Sequence, residues 1–261
     1  MAKHQTKHRL PSLFAPGRGY RTLAIALTAT VTAWVGSLQA GVVLVPNGSF
    51  ESPTTAYVGI NIDSWQKANK PGYFDEVAYG FSWIQTAGLF LNTAVGQPDH
   101  IDNVDGNQSA YLLAFPQVAL SQDLTAPDAK FNIGSAYDLT VGLLGKGMAD
   151  GSSLLLSLYY RDGGNNPVTV VSTTITYTAA ALPSTTHLTD FQVQVPIVQP
   201  GDAWAGQNIG VKVESAFGAG AGYWDMDNVR LVAVPEPGVP ALISFGFIGF
   251  MMLRRFSRGK S

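Results

Sequence analysis

Trp224-Asp225-Met226-Asp227-Asn228-Val229-Arg230-Leu231, near the end of the chain, decides the fold together with Leu44-Val45-Pro46-Asn47-Gly48-Ser49-Phe50-Glu51, near its start. The later stretch lies in a predicted strand over residues 223–232. A predicted strand over residues 42–45 leads into the earlier stretch. The two stretches therefore bracket the region whose fold has to be explained.

The region between them has the pattern of β structure. No long stretch repeats apolar residues every 3.6 positions, as an amphipathic helix requires. Leu139, Val141 and Leu143 alternate with small or polar neighbours, which is the pattern of a half-buried strand. Further strands are predicted at residues 110–115, 137–144, 154–160, 168–177, 191–195 and 209–214. We expect an all-β, two-sheet sandwich, with the irregular residues 52–106 supplying loops across one end or face.

The two bracketing stretches resemble the first and last strands of galactose-binding-like jelly rolls, the sandwich of many carbohydrate-binding modules. Residues 105–112 and 120–124 are similar to the paired middle strands of that family, and residues 134–141 are similar to the next strand. The resemblance implies a jelly-roll β-sandwich over residues 41–233, with its first and last strands side by side. Because this fold hosts many functions, it implies no single activity.

The same resemblance implies a structural calcium ion between the first and last strands. Its ligands would come from Asn47, Gly48, Glu51 and Asp227, with Asp225 as an alternate. Oxygen ligands from separate strands suit the flexible coordination of Ca²⁺. The alternative is that Asn47-Gly48 is only a turn, that Glu51 is solvated, and that Asp227 bonds the neighbouring backbone.

Residues 1–40 have the pattern of a secretory signal peptide. Five basic residues and no acidic residue occupy positions 1–21, and an apolar run from Leu23 to Val35 follows, ending near Ala40. We expect a signal helix that directs the chain to the Sec export machinery and is cleaved after Ala40. An uncleaved anchor is the alternative.

Residues 234–261 combine Val234-Pro235-Glu236-Pro237, an apolar run from Val239 to Leu253, and the pair Arg254-Arg255. As a helix the run would span about 22 Å, short of the roughly 30 Å of a hydrocarbon core, so we expect a short transmembrane helix that holds the membrane transiently. The three parts resemble the PEP-CTERM sorting signal of exported bacterial proteins. The resemblance implies recognition by an exosortase at the inner membrane and delivery to the cell surface or extracellular matrix.

The net charge of the exported region limits which classes of partner it can bind. Seven basic and 18 acidic residues lie between positions 41 and 237, a formal net charge of −11 for the exported region. This charge disfavours nucleic acid and anionic lipid as partners, and it favours cations, solubility or neutral glycans. The chain has no cysteine, which excludes disulfides and thiol chemistry.

Aromatic rings outside the obvious strands are candidates for stacking on the apolar face of a sugar. They are Trp65, Tyr79, Trp83 and Trp204. Enzymatic motifs are missing from the sequence: His100 and His187 stand apart, and neither a nucleophile elbow nor a zinc-binding helix motif is present. We therefore expect a protein that is not an enzyme.

Taken together, these patterns predict an exported protein with a structural or adhesive role in the extracellular polysaccharide matrix. The alternative is a carbohydrate-binding module that recognises envelope or matrix glycans.

Replacing Pro235-Glu236-Pro237 by Ala-Ala-Ala tests the sorting signal. We expect the variant to stay in the inner membrane of a host that has an exosortase, because the processing enzyme no longer recognises the tail. Cell fractionation followed by intact mass measurement checks this. A variant that reaches the surface with its tail removed would contradict the assignment.

Overall fold

Two antiparallel sheets form the body of the protein in the computed structural model, which describes residues 40–218 and 222–235. Within these residues the strands are β1 (Gly41–Val43), β2 (Val58–Gly59), β3 (Gln66–Lys67), β4 (Ala87–Leu91), β5 (Gln108–Leu113), β6 (Ala119–Asp123), β7 (Ser135–Lys146), β8 (Ser153–Arg161), β9 (Pro167–Thr176), β10 (Thr189–Val195), β11 (Gly210–Phe217) and β12 (Tyr223–Pro235). A short helix α1 (Glu76–Tyr79) and a 3-10 turn (Trp83–Thr86) precede β4.

Sheet A has the strand order β10-β7-β12-β5-β4-β2, and β1 pairs with the later part of β12. Sheet B has the order β3-β6-β11-β8-β9. The two-sheet, all-β sandwich expected from the sequence is confirmed. So is the pairing of the first and last strands, since Gly41 lies opposite Ala233.

The core lies between the sheets and follows the period-two alternation of their strands. Leu139, Val141 and Leu143 of β7 are fully buried in it, as the alternation predicts. Trp224 and Met226 of β12 join them on the same side. Neighbouring positions on these strands consequently face outward from sheet A.

A bulge interrupts β12 between Asp227 and Arg230, where Asn228 adopts a left-handed conformation with φ 56°. The bulge turns the Val229 N–H toward the Gly48 carbonyl oxygen, to which it donates at 2.8 Å. Gly48 approaches so closely that a Cβ there would lie 2.5 Å from the Val229 oxygen. Glycine is therefore required at this point of the Asn47-Gly48 turn.

The segment from residue 92 to 106 folds over part of the outer face of sheet A. Ile101 is buried there against Leu144 and Leu188. The Asn92 side chain exchanges two hydrogen bonds with the Ile101 backbone, at 2.9 and 3.0 Å. This segment confirms that residues 52–106 supply a covering loop, although the same region also holds β2, β3 and β4, which the sequence analysis missed.

The last strand runs two residues past the predicted boundary at 233. Val234 pairs with Ala136 and Pro235 pairs with Ser135. Pro235 is tolerated because it is the final residue of the strand, where no further ladder hydrogen bond is needed. The first proline of the Pro-Glu-Pro motif is thus part of the sandwich.

The expected signal helix (residues 1–40) and the tail from Glu236 onward, including Pro237, Arg254 and Arg255, fall outside the described residues, apart from Ala40. Among the residues that are described, no helix combines the length and apolar character needed to cross a membrane.

Candidate functional site

A groove opens on the outer face of sheet A, at the end where β12 begins. Cross-strand pairing places Tyr223 between Leu113 of β5 and Lys146 of β7, and it places Asp225 between Tyr111 and Leu144. Side chains in register on adjacent strands share one face. The groove has a volume of about 380 Å³, and its lining consists of Val58, Phe90, Thr93, Asp99, Tyr111, Leu113, Lys146, Tyr223 and Asp225.

The Tyr111 side chain packs over Gly88, where no side chain is in its way. A Cβ on Gly88 would lie 2.7 Å from the Tyr111 ring, so only glycine leaves room for it. The Tyr111 hydroxyl donates to the Gln85 carbonyl at 3.2 Å, which fixes the ring at one side of the groove. Burial raises the pKa of Tyr111, so its hydroxyl stays protonated at neutral pH.

Three charged side chains meet in the groove. Lys146 Nζ lies 3.9 Å from Asp225 Oδ2 and also 3.9 Å from Asp99 Oδ1. Asp225 is only 1 % exposed, whereas the Asp99 side chain is 83 % exposed. One cation is therefore shared by two carboxylates, at distances too long for hydrogen bonds.

Burial raises the pKa of Asp225 to about 7, against the attraction of Lys146 and with a further rise from the charge of Asp99. The other carboxylate oxygen, Oδ1, is buried without a hydrogen-bond partner. The group can thus hold or release a proton near neutral pH, and it has an unused acceptor. A perturbed carboxyl in a cleft is a common mark of a functional site.

The structure places the four aromatic candidates from the sequence elsewhere. Trp65 and Trp83 are each 6 % exposed and pack in the core, with their indole N–H groups donating to the carbonyls of Asn47 and Ala68 at 3.1 and 2.8 Å. Both side chains also line a second cavity, of about 600 Å³, beside β3. Little of either ring is exposed, and a glycan role for these two tryptophans stays a prediction.

Tyr79 and Trp204 are also absent from the lining of the groove. Tyr79 is half-exposed and stacks on Phe74, with ring centroids 4.7 Å apart. Trp204 is partly buried against the core. A glycan role for these two rings stays a prediction.

No sequence pattern marks Tyr111, Tyr223 and Lys146 as site residues, and Asp225 is expected from the sequence only as an alternate calcium ligand. A signal was present: once Trp224 and Met226 are assigned to the core, strand alternation turns Tyr223 and Asp225 to the opposite face. The sequence does not show that β5 and β7 flank β12 there.

The expected calcium ligands lie near one another around the β12 bulge. Glu51 and Asp227 are better suited to bind the ion than Asn47 and Gly48. Asp227 is fully buried; its Oδ2 accepts from the Asp105 N–H at 2.6 Å, while its Oδ1 has no partner. Glu51 Oε1 accepts from the N–H groups of Asn107 and Gln108 at 2.8 and 2.7 Å. Both carboxylates thus bind the same backbone segment, and the unpartnered Asp227 oxygen suits a cation.

Asn47 and Gly48 are already engaged. The Asn47 side-chain amide donates to the carbonyls of Ser52 and Asp63 at 2.7 and 2.9 Å, and the Gly48 carbonyl accepts from Val229. Within the described residues no group of three or more His, Cys, Asp or Glu side chains is arranged to hold a metal ion. Calcium stays a prediction, with Glu51 and Asp227 as the ligands that fit it best.

Asp227→Asn tests the ion. Burial raises the pKa of Asp227 to about 8, although the Asp105 N–H opposes this, and the charges of Asp105 and Glu51 add to the rise. The unfolded carboxyl ionises near pH 4, so the metal-free fold loses stability as the pH rises from about 4 to about 8. We expect Ca²⁺ to raise the melting temperature at pH 8 by about 5 °C in the wild type and to have no effect on the variant.

Thermal melts in EDTA and in Ca²⁺, at pH 5 and pH 8, check both points. In EDTA the variant should lose less stability than the wild type between the two pH values. Equal melting temperatures of the wild type with and without Ca²⁺ at pH 8 would contradict the predicted calcium site.

Comparison with known proteins shows that the fold of this chain is similar to the folds of several solved structures. No protein-family model and no curated protein matches the chain. A cyclase from Fischerella sp. TAU superposes with a TM-score of 0.57 and 20 % identity, over 77 % of this chain and all of the cyclase. A Stig cyclase from the same organism, in complex with (3Z)-3-(1-methyl-2-pyrrolidinylidene)-3H-indole, gives 0.56 and 20 %, over 76 % of this chain and all of that one.

A xylan-binding CBM22-1 domain from Paenibacillus barcinonensis Xyn10C is more distant. Its TM-score is 0.40 at 14 % identity, over 77 % of this chain and 96 % of that domain. At identities this low the likeness concerns the fold alone, and the fold that this chain shares with a TM-score above 0.5 is that of the cyclases.

Proposed function

We propose that the protein is an exported carbohydrate-binding module, a jelly roll that holds a short saccharide in the groove on sheet A. One observation carries this proposal: Tyr111 and Tyr223 lie beside the polar groups of Asp99, Lys146 and Asp225 in a single cavity. Aromatic rings contact the apolar face of a sugar, and the polar groups bind its hydroxyls. The groove therefore favours binding over the purely structural role that the sequence put first.

The size of the groove limits the ligand. About 380 Å³ lies near the lower end of the range for ligand pockets. The covering loop with Asp99 stands at the edge of the groove, and β2 contributes Val58 to its lining. A short saccharide or the end of a chain fits this space better than a long stretch of polymer.

The proposed location rests on sequence alone. The signal-peptide pattern of residues 1–40 supports export, and the Pro-Glu-Pro tail supports passage through the inner membrane to the cell surface or matrix. The surplus of acidic residues in the exported region agrees with a protein that works outside the cell without nucleic acid.

A second candidate function is the binding of a small aromatic compound. It is favoured by the apolar part of the lining, where Val58, Phe90 and Leu113 contribute only hydrocarbon. A cyclase with the same fold holds an indole compound. Our expectation that this chain is not an enzyme stays a prediction, since the likeness to cyclases extends to the fold alone.

Tyr223→Ala tests the site, with Tyr79→Ala as the matched control. The two rings are exposed to similar extents, 37 % and 44 %, and only Tyr223 lines the groove. On a glycan array followed by calorimetry, we expect Tyr223→Ala to weaken saccharide binding about tenfold, through loss of a ring contact, and Tyr79→Ala to leave it unchanged. The reverse order of effects would move the site to the Tyr79 cluster, and silence of the wild type across the array would reject saccharide binding.

A further inference from the structure

We propose that the groove selects ligands that carry an ammonium group beside an apolar face, for example a sugar with a free amino group. This inference rests on the proposed function for the site, and it narrows the ligand by charge. It is carried by three features of the groove: its surplus of carboxylates, an unused buried acceptor and the adjacent aromatic rings.

The first feature is the charge of the lining. Asp99 and Asp225 face one cation, Lys146, which lies 3.9 Å from each of them. With both carboxylates ionised the groove carries one net negative charge. A neutral ligand leaves this imbalance in place, whereas a cationic ligand removes it.

The second feature is the acceptor on Asp225. This side chain is 1 % exposed, and its Oδ1 has no hydrogen-bond partner. A buried carboxylate oxygen without a donor is costly, because it loses its water without gaining a bond. Lys146, whose side chain is 15 % exposed and lies beside Asp225, is too distant for a hydrogen bond. A small ammonium group that displaces Lys146 toward Asp99 would supply the missing donor.

The third feature is the pair of rings beside the carboxylates. Tyr223 and Asp225 project from the same face of β12, and Tyr111 is the cross-strand neighbour of Asp225. An ammonium group bound to Asp225 would therefore lie near aromatic faces, which attract cations. The apolar side of the ligand would lie against Phe90 and Leu113 in the same lining.

Paired probes that differ in charge test the inference. A β-1,4-linked glucosamine disaccharide is compared with its N-acetylated form, and phenethylamine is compared with 2-phenylethanol. Calorimetry at pH 7 should show the charged member of at least one pair binding about tenfold more tightly, as expected for a charge-assisted hydrogen bond.

Asp225→Asn keeps the shape of the side chain and removes its charge. We expect it to abolish the preference for the charged probe. Asp138→Asn is the control: it removes the same charge from β7, at a position eight residues from Lys146. Melting temperatures of both variants establish that they are folded.

The outcomes separate this inference from the proposed function. Preference for the glucosamine disaccharide supports both, and preference for phenethylamine without saccharide binding supports the cationic ligand and rejects the carbohydrate. Binding of neutral saccharides with no preference for charge, or a preference that survives in Asp225→Asn, overturns the inference alone. Failure of every probe to bind the wild type overturns both.

Discussion

The pairing of β12 with its neighbours is the constraint on which the rest of the structure depends. This strand pairs with β7 along most of its length, with β5 at its start and with β1 near its end. The pairing fixes which side chains face the core, and Trp224 and Met226 fill it. By the same alternation, Tyr223 and Asp225 must face outward, so that a single register creates both the core and the groove.

Two buried carboxylates on this strand give it an unusual electrostatic character. Asp225 and Asp227 are both shielded from water, and each has one oxygen without a partner. Removing ionised groups from water destabilises a fold unless a donor or a cation compensates. Such uncompensated groups are where ligands and ions gain binding energy, and the two positions correspond to the groove and to the predicted calcium site. The strand that organises the sandwich is also the strand with the most unsatisfied polar atoms among the described residues.

Much of the fold could be predicted from local patterns. The alternation of Leu139, Val141 and Leu143 in β7 predicted a half-buried strand of a sandwich, because the period of two shows which face of the strand is buried. The short strands β2 and β3 could not be predicted in this way, since two residues cannot show a period. The site was harder to predict: Tyr111, Lys146 and Asp225 come from three strands far apart in sequence, and only the sheet order brings them together.

Burial explains why Trp65 and Trp83 do not line the groove on sheet A. Trp65 and Trp83 lie outside the long strands and were candidates for an exposed platform. Each finds a backbone carbonyl for its indole N–H and packs its ring among other aromatic side chains. A large ring gains more from such burial than from exposure to water. The smaller Tyr223 lies on the outer face of sheet A, is 37 % exposed and lines the groove.

The central claim is that Asp225 lies under the groove as a buried carboxyl that shares the Lys146 cation with Asp99. Carbon-13 NMR of the Asp225 side-chain carboxyl as a function of pH tests it most directly, with Asp225→Asn assigning the signal. The account predicts a midpoint near pH 7 in the free protein, which burial produces against the attraction of Lys146. A midpoint near pH 4, as for a solvated aspartate, would contradict it.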